Sequence, residues 1–320
     1  MNRKSEHLNR RLQLVEAMNK IVFFCGFLLI VLLICPTVTA NDSPAKQYYN
    51  EGLGFATLGQ YSEALTSYDK SITINPNISN TWFNRGVVLG KLGRYTEAIA
   101  SYDTALALNP DDAEAWCNRG VALDNLGRYT EAVVSFDKAL AINPNSIDAW
   151  YNRGYSLCNL DRYTEAVASF DKALAINPNY ADAWYNRGYA LGHLGRYTEA
   201  VVSFDKAISI NPSYAKAWSN RGVALHGLGK YTEAVASYDT ALAIDPNITD
   251  AKQNRKIALE QQNQAQPTSA TPIQQQTQQQ TKTTPLLYAP IGAVVLMAGI
   301  AVLSRHRDPL YNRLFSRKVG

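Results

Sequence analysis

Apolar side chains recur at helical spacing through the middle of the chain, and they do so in copies. Trp184, Gly188 and Leu191 fall at i, i+4 and i+7, which predicts a helix with one buried face. Ala200, Phe204, Ala207 and Ile208 repeat that rhythm and predict a second helix. Between them lies Gly195, a turn residue free to take positive φ. Thr198 is placed to cap the second helix, with Glu199 in its positive first turn. Small Gly188 and Ala200 predict that the two helices approach closely, with Phe204 filling the space beside them. Asn211-Pro212 ends the hairpin, because proline cannot continue a helical ladder.

The hairpin returns every 34 residues. Trp82, Trp116, Trp150, Trp184 and Trp218 keep the step, and so do prolines from Pro76 to Pro246. Glycines from Gly52 to Gly222 and alanines from Ala64 to Ala234 run in phase with them. Asp161 stands where the other copies have a turn glycine, and it can reach the left-handed region at modest cost. No hairpin buries its apolar faces alone, so such an array is stable only as a stack with capped ends.

Trp, Leu-Gly, Tyr, Ala, Phe or Tyr, Ala and Pro at these offsets resemble the tetratricopeptide family, over about residues 45–260. The resemblance implies an all-α fold, a right-handed α-solenoid of six helix-turn-helix repeats, and the sequence on either side adds hydrophobic membrane segments. In the family's phase the repeats are 45–78, 79–112, 113–146, 147–180, 181–214 and 215–248. Asn254 and Arg255 lie 34 residues after Asn220 and Arg221, so 249–262 reads as a capping helix, the start of an unfinished seventh repeat. Gln261, Gln262 and Gln264 are expected to give that end a wet surface.

The flanks are of another kind. Residues 21–35 are uncharged, follow a basic stretch and precede Val38-Thr39-Ala40, the layout of a signal peptide over 1–40, cleaved or retained as an anchor. Residues 286–303 are 18 uncharged residues running straight into Arg305-His306-Arg307. They are expected to form a transmembrane helix, with the basic tail 304–320 cytoplasmic by the positive-inside rule. The tract 263–285 is rich in Gln, Thr and Pro, lacks periodicity and reads as a disordered stalk. Together these readings place the repeats outside the cytoplasm, on the cell membrane. Charge fits the same division. Residues 1–20 carry +3 and residues 304–320 carry +4, so the net +4 leaves the remainder at −3. The basic character belongs to the ends, and no nucleic-acid partner is expected.

Candidate chemistry is that of binding. His193 and His226 are the histidines of the repeats; no carboxylate pair, metal spacing or phosphate loop accompanies them, and both read as surface residues. No catalytic residue, metal or cofactor is therefore expected. Cys117 and Cys158 sit on different turns and are expected to be free thiols. Asn50, Asn84, Asn118, Asn152, Asn186, Asn220 and Asn254 form an unbroken ladder. In the family this position borders the concave groove, and the ladder is similar to that of nucleocytoplasmic sugar transferases, whose asparagines grip a peptide main chain. An amide offers both a donor and an acceptor to a peptide unit. The other reading is that it locks neighbouring repeats together. Tyr151 and Tyr155, with Tyr185 and Tyr189 one repeat on, form a patch that either anchors side chains or packs between repeats. The lysine and asparagine with which chaperone-binding relatives clamp a terminal carboxylate are missing from the positions that these tyrosines occupy. Arg85, Arg119, Arg153, Arg187, Arg221 and Arg255 stand where the family has leucine, and each is expected to pair with one of the aspartates from Asp69 to Asp239. The expected function is a membrane-anchored scaffold holding an extended segment of a protein partner. A surface protein that forms homo-oligomers through its arrays is the alternative.

Overall fold

The computed structural model describes residues 43–265, and the described residues hold thirteen α-helices joined by short turns, with no strand. Six helices open hairpins: α1 (Pro44–Thr57), α3 (Ser79–Lys91), α5 (Ala113–Asn125), α7 (Ile147–Asn159), α9 (Ala181–His193) and α11 (Ala215–Gly227). Their partners are α2 (Tyr61–Ile74), α4 (Tyr95–Leu108), α6 (Tyr129–Ile142), α8 (Tyr163–Ile176), α10 (Tyr197–Ile210) and α12 (Tyr231–Ile244). A final helix, α13, spans Thr249–Ala265. No described helix is long and apolar enough to cross a membrane. The apolar stretches within 1–40 and 286–303, the tail 304–320 and the Gln/Thr/Pro tract beyond 265 lie outside the described residues.

Two compact units divide the chain, with the boundary after Asn77. In the first, α1 packs on α2, and the Tyr68 ring covers Gly52 so closely that a Cβ there would lie 2.6 Å from it. In the second, each opening helix packs on its own partner and, from α5 onward, on the closing helix before it. Successive opening helices from α3 to α13 also approach one another, whereas successive closing helices make no comparable contact. That asymmetry sets the opening helices on the inner face of this unit.

The ladders in the sequence now have causes. Gly120, Gly154, Gly188 and Gly222 each sit under the aromatic ring of the partner helix, at distances of 2.6–2.8 Å from where a Cβ would stand. Phe136, Phe170 and Phe204 are those rings in the third to fifth repeats, and all are buried. The hairpin turns use positive φ at five glycines and at Asp161, whose φ is 57°. In the third repeat this lets Arg128 N–H reach Leu123 O at 3.0 Å, closing the end of α5. Tryptophan and proline keep step because the indole N–H bonds the proline carbonyl six residues before it, at 2.9 Å for Trp150 and Pro144.

The caps differ from expectation. Thr198 caps nothing: α10 begins at Tyr197, so Thr198 is already inside the helix. Arg196 holds the N-cap position and forms a two-point ion pair with Glu199 at 2.7 and 2.6 Å. The turn sets the helix start two residues earlier than the cap preference of threonine suggests. Gln261 and Gln262 do not form a wet outer surface either, since both are half-buried and reach back to His226 (2.5 Å) and Thr232 (2.9 Å).

Where the second and sixth repeats replace phenylalanine by Tyr102 and Tyr238, the ring is fully buried and its hydroxyl has no hydrogen-bond partner. A buried unsatisfied hydroxyl costs about 1–3 kcal/mol. Tyr102→Phe is therefore expected to raise the urea midpoint, and an unchanged or lower midpoint would show that the hydroxyl is satisfied in solution.

Candidate functional site

Arginine, not the family's leucine, joins the repeats of the second unit. Arg153 on α7 donates through Nε to Asp137 on the preceding closing helix (2.6 Å) and through Nη1 to Ser169 on its own partner helix (2.7 Å). Its guanidinium carbon lies 6.0 Å from the Trp150 ring centre. Arg119, Arg187 and Arg221 repeat both bonds, and Arg255 pairs with Asp239, so α13 docks as the opening helix of one more repeat. Planar, multi-donor geometry is what guanidinium adds over leucine at a three-helix junction. The expected arginine–aspartate pairing is thus present, and the residues that perform it are structural.

The asparagine ladder lies on the opening helices but is not uniform. Asn50 is exposed on α1, whereas Asn84, Asn118, Asn186, Asn220 and Asn254 are half-buried. Asn186 and Asn220 donate through Nδ2 to the hydroxyls of Tyr151 and Tyr185 in the repeat before, at 2.9 and 3.0 Å. Those tyrosines also pack, tilted by about 30°, against Tyr180 and Tyr214, each pair with centroids 4.9 Å apart. Tyr214 in turn donates to Asp182 at 3.0 Å. Asn152 is the exception: it is 1% exposed, and neither atom of its amide has a hydrogen-bond partner.

The four tyrosines fall into two sets. Tyr151 and Tyr185 belong to the row of tilted rings just described, whose members Tyr180 and Tyr214 the sequence reading passed over. Their signal was present, since both occupy the residue before an opening helix, one 34-residue step apart. Tyr189 belongs with Tyr163 and His193, and Tyr155 lies near it. Burial pushes the Tyr189 hydroxyl up to about 12.

His193 is half-buried rather than open to solvent. Its ring stacks on Tyr163 at 4.4 Å and meets the Tyr189 edge at 4.5 Å. Burial lowers its pKa, against a smaller opposing effect of Asp161. A histidine held neutral in the folded state gives up stability when the unfolded chain takes the proton. Stability is therefore expected to fall as pH drops below about 6.5 towards the lowered folded value. His193→Gln should flatten that limb of a pH–melting profile; an unchanged slope would assign it to other groups. Cys117 and Cys158 are free, and burial pushes both thiols up to about 12. Among the described residues no group of His, Cys, Asp or Glu is arranged to hold a metal.

Sequence profiles agree with this geometry. Tetratricopeptide-repeat profiles match residues 52–93, 83–147, 135–168, 154–195, 181–214 and 215–248, without a break from 52 to 248. The chain is a tetratricopeptide-repeat protein. Among solved structures it is similar to YrrB, described as a tetratricopeptide-repeat protein with an unusual peptide-binding site, at 27% identity and a TM-score of 0.55. That match covers 59% of this chain and 97% of YrrB. MamA is also 27% identical, with a TM-score of 0.51 over 52% of this chain and 92% of its own. PilW, a type IV pilus biogenesis factor, matches at 22% identity and a TM-score of 0.56, over 68% of this chain and 99% of its own, which speaks to the fold alone. No curated protein sequence matches.

Proposed function

We propose that this tetratricopeptide-repeat protein holds an extended segment of a partner protein on the inner face of its opening helices. One observation carries the reading: the opening helices, which lie side by side in the second unit, each bear an amide at the same position. A side-chain amide can meet both groups of a peptide unit, whatever the side chains of that peptide. The bonds from Asn186 and Asn220 to tyrosine use one N–H of each amide, and a second N–H and a carbonyl oxygen are part of the same group. The similarity to a relative described by its peptide-binding site supports the reading. The arginine ladder belongs to the stack and the histidines to its packing, so neither competes for this role.

The setting is part of the proposal. The charge-free stretches within 1–40 and 286–303, each beside basic residues, support a scaffold anchored in the cell membrane with its repeats outside the cytoplasm. Full-length protein, immobilised and exposed to extracts of its own cells, is compared with an Asn152/Asn186/Asn220→Ala variant. Retention of a partner by the wild type and its loss in the variant are expected. Equal retention would sink the asparagine role, and concentration-dependent oligomers with no retained partner would favour a self-associating surface protein.

A further inference from the structure

Asparagine followed two residues later by serine or threonine, with no proline between, is the acceptor pattern for N-glycosylation of exported chains. It occurs at Asn41, which lies outside the described residues, and at Asn77 and Asn247. The last two hold one place in the repeat, the turn that leads into an opening helix. Asn145 and Asn179 hold it after the third and fourth repeats, but Ile147 and Ala181 stand two residues on. Asn211-Pro212-Ser213 is barred by its proline.

The fold accounts for the Ser79 hydroxyl and not for that of Thr249. Ser79 is half-buried and donates to Ala105 O on α4 at 3.0 Å, which ties it to its own hairpin. Thr249 opens α13, is exposed and makes no hydrogen bond among the described residues. A hydroxyl at the first helical residue is past the cap position, and Ala113, Ile147, Ala181 and Ala215 open their helices without one. Asn247 is in the same situation. Its backbone N–H holds the turn by donating to Asp245 Oδ1 at 2.9 Å, while its exposed side-chain amide makes no hydrogen bond among the described residues. Ser213 makes the same turn through its N–H to Asn211 Oδ1 at 3.2 Å, so the turn does not require asparagine. Amide and hydroxyl stand two residues apart on an open turn, and the stack uses neither.

We propose that Asn247 is N-glycosylated, with Asn77 a lesser acceptor because the hydroxyl of its sequon is bonded within the hairpin. The inference rests on the setting proposed above, with the repeats outside the cytoplasm. The donor is a glycan carried on a lipid phosphate at the membrane. Asn247 Nδ2 attacks the anomeric carbon of its first sugar; a C–N bond forms and the C–O bond to phosphate breaks. The lipid phosphate leaves with the electron pair, and the amide gives up one proton.

Full-length protein from the membranes of its own cells, digested with trypsin and read by mass spectrometry, tests this. Asn247 is released in Tyr231–Lys252 and Asn77 in Ser71–Arg85. Glycan mass is expected on Tyr231–Lys252, at higher occupancy than on Ser71–Arg85. Thr249→Ala, which installs the residue that opens α5, α9 and α11, should return the first peptide to its unmodified mass. Modification that survives Thr249→Ala, or that is heavier at Asn77, would overturn the inference. Trypsin added outside intact cells reads the setting separately. Repeats cut from outside, with Tyr231–Lys252 unmodified, would overturn the glycosylation and leave the setting standing. Repeats cut only after lysis would overturn both.

Discussion

Phe170→Ala is expected to lower the free energy of unfolding by about 3–5 kcal/mol, the usual loss for a fully buried phenylalanine. The ring has no exposed surface, packs with Leu157, Val167 and Leu191, and covers Gly154 so tightly that a Cβ there would stand 2.7 Å from it. It lies in the fourth of six hairpins, so its loss weakens interfaces on both sides. Urea unfolding followed by circular dichroism should show an earlier transition and, because coupling runs between neighbours, a broader one. The glycine gives the matching test. Gly154→Ala gains about 1 kcal/mol of helix propensity, and the clash reverses that gain by forcing the helices apart. In a Phe170→Leu background the same change should be far less harmful. A Gly154→Ala variant as stable as the wild type would contradict the account of why glycine recurs under the ring.

The second large effect is on binding. The Asn152/Asn186/Asn220→Ala variant is expected to lose roughly a hundredfold or more in affinity for a retained peptide, at about 1 kcal/mol or more per amide removed. Asn186 and Asn220 also bond tyrosines, so loss of binding alone would not separate gripping a ligand from locking repeats. Tyr151→Phe and Tyr185→Phe make the separation. They remove the hydroxyl and keep the ring, so a locking role predicts that they reproduce the asparagine variant. A gripping role predicts a small loss of stability with binding kept. Anisotropy of a labelled peptide, read beside the melting temperature, distinguishes the two.

Much of this was legible in the sequence because duplication writes packing as a period. Glycine under a ring, the positive-φ turn and the proline exit each gave a ladder of 34 residues, and the helices stand where those ladders imply. The arginine–aspartate pairs were legible for the same reason. What escaped the reading is what the period hides. Thr198 looked like a cap because cap preference is local, whereas the turn and the Arg196–Glu199 pair set where α10 starts. His193 looked exposed because the ring that covers it, Tyr163, belongs to the repeat before, at the start of α8. Asn152 was one member of an unbroken ladder, and only the side chain opposite it, Cys117 in place of tyrosine, makes it different.

Hydrogen exchange of the full-length protein with and without a retained peptide tests the central claim most directly. Added protection is predicted on the opening helices α5, α7, α9 and α11, with the closing helices α6, α8 and α10 little changed. Protection confined to the closing helices, or to the end formed by α13, would contradict it.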